Sequence, residues 1–555
     1  MTDDKLKGPK LLAAALRNRK LGVMLAFGFS AGLPYALLLG TLYAWLSEAK
    51  VDLETMGVFS LIGLAYAFKF LWSPLVDTVR LPLLERFGRR RGWLILAQSL
   101  LGGILISLSF LDPHSALGWF SLLAGIGAFA SATQDIVIDA WRVDVADETA
   151  TLDLLSTVYQ FGYRIAALAG GALALVLAAR IGWPAVYLGM GCAMLAVLCI
   201  TFMAPDTPRP AAARGEAPLR QPGELTPHVR GFALILVGLL WAWALATVCT
   251  FMVESLSNEP ALRPNPTEFL KRYGPLIVIA TVIVPAIVAA VLVFMKASGR
   301  HILTAASPAD GQLGRIMDHG YSALLLPLAE LVGRLRGAAV LVLALILSYR
   351  ITDSIWGPFA LPFYLDELGY SNDEVAVASK FFGVGMTMLG IALSAWCFAA
   401  IGRMATVVLG AITAAASNLL YADLASGGGG LDLFGLLSGF YWLVGLFGAD
   451  DRLARLMLAI AGENIAGGLA GAAFVAYLSS ITSKQHSAVQ YALLSSLTFL
   501  VGSLGRAALG EGIEVHGYAP IFILTASIGV IAVVLATIEW ARQKRALNIS
   551  PEAAR

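Results

Sequence analysis

Two aspartates lie one helical turn apart in an apolar part of the sequence. They are Asp135 and Asp139 in the stretch SATQDIVIDAWR at residues 131–142, which follows the apolar run SLLAGIGAFA. Positions i and i+4 share one face of a helix, and Arg142 can pair with Asp139 from the next turn. Desolvation disfavours the charged form of a carboxylate in a low-dielectric cavity, so such a group can load and release protons near neutral pH. The pattern predicts a proton-coupling site at Asp135 or Asp139.

A purely structural role for these charges is the alternative. In that interpretation Asp135 forms an ion pair with Arg164 on the next helix, and Lys69 pairs with Asp77 two turns away. A charge at the bilayer centre costs about 2.5–3.5 kcal/mol on insertion scales. We therefore expect these side chains to face protein or water under either interpretation.

Ionisable residues recur in the second half of the chain. Arg350 and Asp353 lie three residues apart on one predicted helix. They either pair with each other or line a cavity, where they would compete for an anionic substrate. Lys380 falls early in the next helix, so it either snorkels to the nearby interface or lines the same cavity.

The pair Glu463-Asn464 occupies the position in the tenth transport helix that Gln134-Asp135 occupies in the fourth. Glycines follow the pair and allow close packing and local flexing. We therefore expect Glu463 to line the cavity and to take part in proton coupling. The residues predicted to bind substrate are Gln134, Tyr163, Arg164, Arg350, Asp353, Lys380, Asn464 and Gln490.

The elements that must position these charges are membrane helices. Of the 555 residues, 58% are hydrophobic and only 14% are charged, whereas soluble domains have about 25% charged residues. Apolar runs of about 20 residues recur along the chain, and helices of that length cross a bilayer with their backbone hydrogen bonds satisfied. The net charge of +2 argues against nucleic-acid binding. No phosphate-binding loop or metal-ligand spacing is visible, so we expect no cofactor, no metal and no enzyme activity.

Fourteen spans are predicted, in groups of six, two and six. The predicted segments are a tail at 1–20, a six-helix bundle at 21–204, a linker at 205–229, two extra transmembrane helices at 230–296, a linker with an amphipathic helix at 297–336, a second six-helix bundle at 337–541 and a tail at 542–555. Residues 423–451 form an insertion in the second bundle. We expect this insertion to be re-entrant or interfacial, because one more crossing would place the basic C-terminus outside.

The charges of the loops predict the orientation of the chain. Lysine and arginine are concentrated in the two tails, the two linkers and the loop after the second span, which places both termini in the cytoplasm. The alternate loops are acidic. One predicted cytoplasmic loop, RVDVADETATLD at 142–153, is mostly acidic and fits poorly. We keep the topology, since acidic residues contribute little to this rule.

The two six-helix halves resemble each other. The first span of each half contains a similar motif, PYAL at 34–37 and PFAL at 358–361, and RIAALAGG from Arg164 is matched by RAALGEG from Arg506. Together these matches predict two parallel repeats with substrate bound between them near the midplane, an all-α polytopic membrane protein with the major facilitator fold. An acid after the second span and a Gly-Arg-Arg cluster before the third are typical of that fold, and they predict a structural latch between neighbouring helices. Its residues are Asp77, Arg89 and Arg90.

Several stretches of the sequence resemble the AmpG-type muropeptide permeases. In the first half these are FKFLWSPLVD, GRRRGWL, SATQDIVIDAWRVDV and FGYRIAALAGG; in the second half they are YRITDS, ENIAGGLAGAAFVAYLSSI and QYALLSSL. The resemblance covers roughly 20–205 and 337–541. It implies a proton-driven importer in the bacterial inner membrane that carries N-acetylglucosaminyl-anhydro-N-acetylmuramyl peptides into the cytoplasm for cell-wall recycling, linked to β-lactamase induction.

A cargo of that kind joins a disaccharide to a peptide with carboxylates. Under the resemblance, Arg350, Lys380 and Arg164 suit the carboxylates, and Gln134, Asn464 and Gln490 suit sugar or amide groups. We expect the partners to be this small molecule, protons and the bilayer, with the chain acting as a monomer. Two alternatives remain: a carrier of another anionic cargo such as acetyl-CoA, and a membrane-embedded cell-wall enzyme. An enzyme should cluster its acids and bases at one membrane surface, whereas this chain scatters them at mid-depth in both halves.

Overall fold

In the computed structural model the chain is almost entirely helical. The structure describes residues 17–51, 65–66, 68–79, 81–113, 115–205, 222–255, 265–305, 307, 311–352 and 359–549. In this part of the chain, twelve helices are long and apolar enough to cross a membrane. Two of the fourteen predicted spans, at 56–77 and 488–509, are not among the twelve. Part of the first of these spans and several side chains of the second lie outside the described residues. The helical architecture is confirmed, whereas the count of fourteen spans is not.

The first bundle is built from six helices. They are α1 (Arg19–Glu48), α2 (Ser73–Thr78), α3 (Arg89–Ser109), α4 (Leu117–Val145), α5 (Leu152–Ile181) and α6 (Trp183–Phe202). Helix α1 packs along α5 because glycines remove side chains at their crossing: a Cβ on Gly28 would strike the carbonyl of Tyr159, and one on Gly162 would strike that of Leu25. Such close approach of small residues replaces the hydrophobic driving force that lipid cannot supply.

Two long helices and a short one follow the first bundle. They are α7 (Pro227–Ser255), α8 (266–297) and α9 (Gly311–Leu324). Helices α7 and α8 share a buried apolar cluster with the region before α2 and with the second bundle. Within this cluster, the ring of Trp241 in α7 lies edge-on to that of Phe70, with 6.1 Å between the ring centroids. The extra helices therefore pack against the side of the protein where the two bundles meet.

The second bundle has its own set of helices. They are α10 (Leu326–Tyr349), α11 (360–367), α12 (Asn372–Ile401), α13 (Arg403–Ala425), α14 (Gly429–Leu437), α15 (Phe440–Gly445), α16 (Asp451–Ile481), α17 (Ser487–His516) and α18 (Tyr518–Ile549). Helix α10 begins at Leu326, so it includes part of the segment predicted as an amphipathic linker helix. Helices α14 and α15 have nine and six residues, too few to cross a bilayer at 1.5 Å per residue.

The insertion that contains α14 and α15 is anchored by polar contacts and presents apolar side chains outward. Arg455 of α16 makes two hydrogen bonds of 2.7 Å to the carboxylate of Asp432. Leu437, Trp442 and Phe447 are 79%, 72% and 85% exposed. This arrangement agrees with an interfacial position for the insertion, where aromatic and apolar residues meet the bilayer.

The first span of each half contains a π-helical turn that begins at the end of the repeated motif or just after it. The turn covers Leu37–Thr41 in α1 and Phe363–Glu367 in α11. Pro358, which opens the second copy of the motif, lies outside the described residues. Single π-helical turns inside longer helices are frequent at functional sites. Their matching positions agree with the internal repeat predicted from the sequence.

Candidate functional site

The site begins at a break in the backbone before α2. Residues Lys69–Leu71 form a 3-10 turn, and Trp72 separates this turn from α2. The break turns the buried side chain of Lys69 towards α4, where its ammonium lies 3.0 Å from Asp135 and 3.7 Å from Asp139. Both acids point the same way because they are one turn apart, as the sequence predicted. A pair between Lys69 and Asp77, the structural alternative, is therefore wrong.

Arg142 completes a cluster of two acids and two bases. Its guanidinium lies 2.9 Å from Asp139, which confirms the pairing expected from the sequence. We call Lys69, Asp135, Asp139 and Arg142 the charge cluster. Its formal charges balance, which is what buried charges require in order to avoid a large desolvation penalty.

Arg142 also connects the charge cluster to the second bundle. Its guanidinium lies between the rings of Tyr159 in α5 and Tyr491 in α17, at 5.0 and 4.9 Å from their centroids. It donates a hydrogen bond of 3.2 Å to the hydroxyl of Ser479 in α16. A change of charge within the cluster can therefore alter the contact between the bundles.

The two acids differ in their access to solvent. The side chain of Asp135 is 16% exposed, and that of Asp139 is 5% exposed. The hydroxyl of Tyr159 donates to Asp135 at 3.2 Å, and the ring of Tyr163 lies 6.2 Å from that of Tyr159. Asp135 is thus the more solvent-accessible of the two acids, and Tyr163 lies on the same side of α5 as Tyr159.

The residues of the predicted latch contact one another, and Asp144 joins them. The guanidinium of Arg90 is fully buried and contacts Asp77 at 2.7 Å and Asp144 at 3.0 Å. Arg89 also contacts both acids, at 3.7 and 3.4 Å. Arg90 further donates to the hydroxyl of Ser487 in α17 at 2.8 Å, and that hydroxyl donates to Asp144 at 2.9 Å. The latch therefore holds the two bundles together as well as the neighbouring helices of the first.

Further polar contacts cross between the bundles nearby. Arg403, the first residue of α13, pairs with Asp153 of α5 at 2.5 Å. The hydroxyls of Thr157 in α5 and Ser394 in α12 are 3.4 Å apart. These contacts lie at the end of the helices that carries the basic loops, which we call the basic-loop end. The opposite end is the acidic-loop end.

The acidic loop at 142–153 now has a physical explanation. Its three aspartates are partners of basic residues: Asp144 for Arg89 and Arg90, Asp153 for Arg403, and Asp147 for Lys20 at 2.5 Å. Slight burial raises the pKa of Asp147, but hydrogen bonds from Lys20 and from the 149–150 backbone outweigh it and hold the pKa below its usual value. In the sequence, the poor fit of this loop to the charge rule was the sign of a contact surface. The predicted topology did not take this sign into account.

In the second half, Arg350 lies near the first bundle. An ideal Cβ on Gly471 would lie 3.2 Å from Nη1 of Arg350 and 3.7 Å from the side-chain amide of Gln160 in α5. A larger residue than glycine at 471 would therefore crowd this junction. Asp353, the predicted companion of Arg350, lies outside the described residues.

Glu463 sits at the end of a chain of hydroxyl groups. Tyr421 donates to its carboxylate at 2.7 Å, and the hydroxyl of Tyr364 lies 2.8 Å from that of Tyr421. Asn464 accepts a hydrogen bond of 2.7 Å from Thr387. Lys380 is exposed and lies near the acidic-loop end of α12. The structure thus places these residues in the second bundle, apart from the charge cluster of the first.

Two of the predicted substrate residues, Gln134 and Gln490, have other neighbours in this structure. Gln134 is buried and donates to the backbone of Ser30 in α1 at 2.7 Å. Gln490 is also buried and donates to Glu330 of α10 at 2.6 Å. Arg164 is half-buried in α5, one residue after Tyr163. Their substrate roles stay predictions. The sequence reasoning did not identify Ser479, Ser487 and Tyr491, because nothing in the sequence shows which helices face each other.

Solved structures define the class of protein. The chain aligns with the proton:xylose symporter XylE, a major facilitator superfamily protein, with a TM-score of 0.51 and 13% identity, covering 94% of each chain. It aligns equally with the human organic anion transporter MFSD10, with a TM-score of 0.51 and 13% identity over 93% of this chain and 99% of that one. The chain has the major facilitator fold, as the sequence predicted.

Sequence relatives narrow the class further. The chain is 29% identical over 524 residues to the anhydromuropeptide permease of Escherichia coli K12, covering 92% of this chain and 78% of the relative. It is 25% identical over 509 residues to the putative transporter AmpG 4 of Rickettsia conorii, covering 92% and 94%. A family model described as acetyl-coenzyme A transporter 1 matches residues 21–117. These relatives confirm the resemblance to AmpG-type permeases and support a multi-pass carrier that is not an enzyme.

Proposed function

We propose that this chain is a proton-coupled importer of anhydromuropeptides, the N-acetylglucosaminyl-anhydro-N-acetylmuramyl peptides of cell-wall recycling. Transport would run by alternating access from the periplasm to the cytoplasm across the bacterial inner membrane, with both termini cytoplasmic. The observation that carries the proposal is the charge cluster: two acids and two bases are buried in one bundle, and Arg142 reaches the other bundle through Ser479. The relative named anhydromuropeptide permease supports the cargo.

The proposed coupling follows from the charges. A proton on Asp135 would neutralise one of the two acids that hold Lys69, so that Lys69 keeps only the longer contact to Asp139. Two unit charges about 4 Å apart attract by about 4 kcal/mol at an effective dielectric constant of about 20. Losing an attraction of this size would be enough to shift a conformational equilibrium. Because Arg142 joins Asp139 to the second bundle, the shift would reach the contact between the bundles.

The contacts at the basic-loop end support a state closed towards the cytoplasm. Arg90, Arg403 and Thr157 each make a polar contact with the opposite bundle there. Import would require these contacts to separate after cargo has entered from the other side. We propose that protonation of Asp135 and binding of cargo together favour that separation.

The proposed cargo site lies between the bundles. Arg350 and Arg164 would attract the carboxylates of the peptide, and Asn464 and Tyr163 would offer hydrogen bonds and a ring surface to the sugars. Arg350 is the best placed of these residues. Its guanidinium and the side-chain amide of Gln160, from the first bundle, both lie next to Gly471. By delivering muropeptide to the cytoplasm, such an importer would also supply the signal for β-lactamase induction.

Uptake into proteoliposomes tests the proposal. Labelled anhydromuropeptide should accumulate when the outside is made acidic, and accumulation should fall at least tenfold without a pH gradient. Asp135→Asn should abolish gradient-driven accumulation, whereas Asp432→Asn, which changes an acid in the insertion far from the cluster, should preserve it. Accumulation that does not depend on the gradient would remove the proton from the mechanism.

Acetyl-CoA is a second candidate cargo, favoured by the family model that matches residues 21–117. Acetyl-CoA is also anionic, so the same basic residues could attract it. Labelled acetyl-CoA in the same vesicles separates the two cargoes. We expect no saturable uptake of acetyl-CoA and no inhibition of muropeptide uptake by it.

A further inference from the structure

A groove on the outer face of the two extra helices belongs to no part of the proposed transport path. It lies between α7 and α8 and encloses about 690 Å³, within the range of about 300–1,000 Å³ typical of small-molecule sites. Its walls are apolar and include Phe232, Leu236, Ile287 and Val291. Phe232, Ile287 and Val291 are 73%, 58% and 50% exposed, so the groove opens outward.

The surroundings of the groove decide what can occupy it. Helices α7 and α8 are apolar enough to span the membrane along most of their length. Their outward face therefore meets hydrocarbon, and an apolar groove on that face is filled by a hydrocarbon chain. Water and polar metabolites are excluded by the same argument.

One end of the groove carries polar and basic residues from two separate segments. His228 at the start of α7 and His301 after α8 both line it, together with Thr226. An antiparallel bridge between Leu225 and Ile302 holds the segments together, and the amide of Thr226 donates to the carbonyl of His301 at 2.8 Å. Both histidines thus line one opening from two segments that backbone hydrogen bonds hold together.

Two further cations lie beside that opening. Lys296 and Arg300 are exposed in the turn that ends α8. The amide of Arg300 donates to the carbonyl of Met295, a residue that lines the groove, at 3.0 Å. These two residues make the rim of the opening positively charged at the level of the basic loops, and the histidines add ring nitrogens that can form hydrogen bonds. Basic pockets between transmembrane helices on the cytoplasmic side suit anionic lipid headgroups.

We propose that this groove binds an anionic phospholipid of the leaflet at the basic-loop end. One acyl chain lies between α7 and α8 along Leu236 and Val291, and the headgroup phosphate lies between His228 and His301 with Lys296 and Arg300 beside it. The lipid joins α7 to α8, and this pair packs through Trp241 on the region before α2. The site is independent of the cargo and of proton coupling.

Native mass spectrometry of the full-length protein tests the proposal. The protein in detergent is incubated with phosphatidylglycerol or with phosphatidylcholine of the same acyl chains, and retained lipid is counted. Phosphatidylglycerol should be retained at least tenfold more tightly than phosphatidylcholine. Equal retention of the two lipids would overturn the proposal.

Two pairs of variants locate the lipid. Val291→Trp fills the groove and should lose the retained phosphatidylglycerol, whereas Val534→Trp, at a position of α18 with 51% exposure, should keep it. Lys296→Gln with Arg300→Gln should reduce the preference for phosphatidylglycerol about tenfold and fold normally, because both residues lie at the surface. The matched control, Lys544→Gln with Arg545→Gln, changes two exposed cations at the end of α18 and should not change the preference. Full retention in the Val291 variant, or an unchanged preference in the Lys296/Arg300 variant, contradicts the site.

Discussion

The two ends of the helical bundles use their polar residues differently. At the basic-loop end, Arg90, Arg142 and Arg403 of one bundle each contact a polar side chain of the other. At the acidic-loop end, the polar side-chain contacts found among the described residues stay within a bundle: the indole of Trp183 donates to Glu48 at 2.6 Å, and Arg455 holds Asp432.

Under alternating access, the contacts between the bundles must open, whereas the contacts within one bundle only support the fold. At the acidic-loop end the bundles approach each other through the π-helical turns Leu168–Leu173 and Ala376–Phe382. Polar contacts between the bundles can be exchanged for contacts with water or cargo, whereas pairs inside a bundle move with it as a rigid unit. The basic-loop end is therefore where a change of charge can control the conformation.

The largest effect is expected from locking the basic-loop end. Thr157→Cys with Ser394→Cys, in a chain whose four native cysteines have been replaced, should form a disulfide, since the native hydroxyls are 3.4 Å apart. Oxidation should abolish muropeptide uptake in proteoliposomes, and a reductant should restore it. Each single variant treated with the same oxidant is the control. Undiminished uptake by the oxidised double variant would mean that this end need not open.

A large loss of stability is expected from removing Arg90. Arg90→Ala would leave Asp77 and Asp144 buried without their main partner. Breaking a buried ion pair in this way costs about 3–5 kcal/mol. Thermal unfolding in detergent should show a markedly lower midpoint, and Arg90→Lys should recover only part of it because lysine lacks the planar fork.

The matching substitution at the other end sharpens the comparison. Arg455→Ala removes a pair whose side chains are 28% and 32% exposed, and exposed pairs contribute about 0.2–1 kcal/mol. The midpoint should therefore fall much less than in the Arg90 variant. Equal losses in the two variants would remove the distinction between the ends.

A smaller effect is expected from pH. Burial lowers the pKa of His486, in the loop before α17, and the carboxylates of Asp77 and Glu330 oppose this only in part. Since the folded protein binds this proton less readily than the unfolded chain, His486 should cost no stability above about pH 6.5 and should reduce stability as the pH falls below that value. Thermal midpoints between pH 5 and 8 should show this slope, and His486→Gln should flatten it. An unchanged slope in that variant assigns the pH dependence to other groups.

Local spacing predicted part of the charge cluster. The shared face of Asp135 and Asp139 and the pairing of Arg142 follow from helix geometry alone. The partner of Asp135 did not follow, because the position of Lys69 depends on a 3-10 turn and on which helix lies opposite. Residues that act across the molecule cannot be read from periodicity.

The fold was predicted more completely than the contacts within it. Apolar runs located most spans to within a few residues, since length and hydropathy are properties of each segment. Gln490 illustrates the limit: an amide among transport helices suggested cargo, whereas in the structure it holds Glu330 and the backbone of Pro327 in α10. The start of α10 at Leu326 was missed because a single Pro and a Leu-rich run are also typical of an amphipathic linker helix.

The most direct test of the account compares two kinds of transport in one variant, Asp135→Asn. Exchange of labelled for unlabelled muropeptide needs the conformational change but no net proton movement, whereas accumulation against a gradient needs both. The Asp135→Asn variant should keep muropeptide exchange and lose gradient-driven accumulation. Accumulation at the wild-type rate in this variant would contradict a role for Asp135 in coupling.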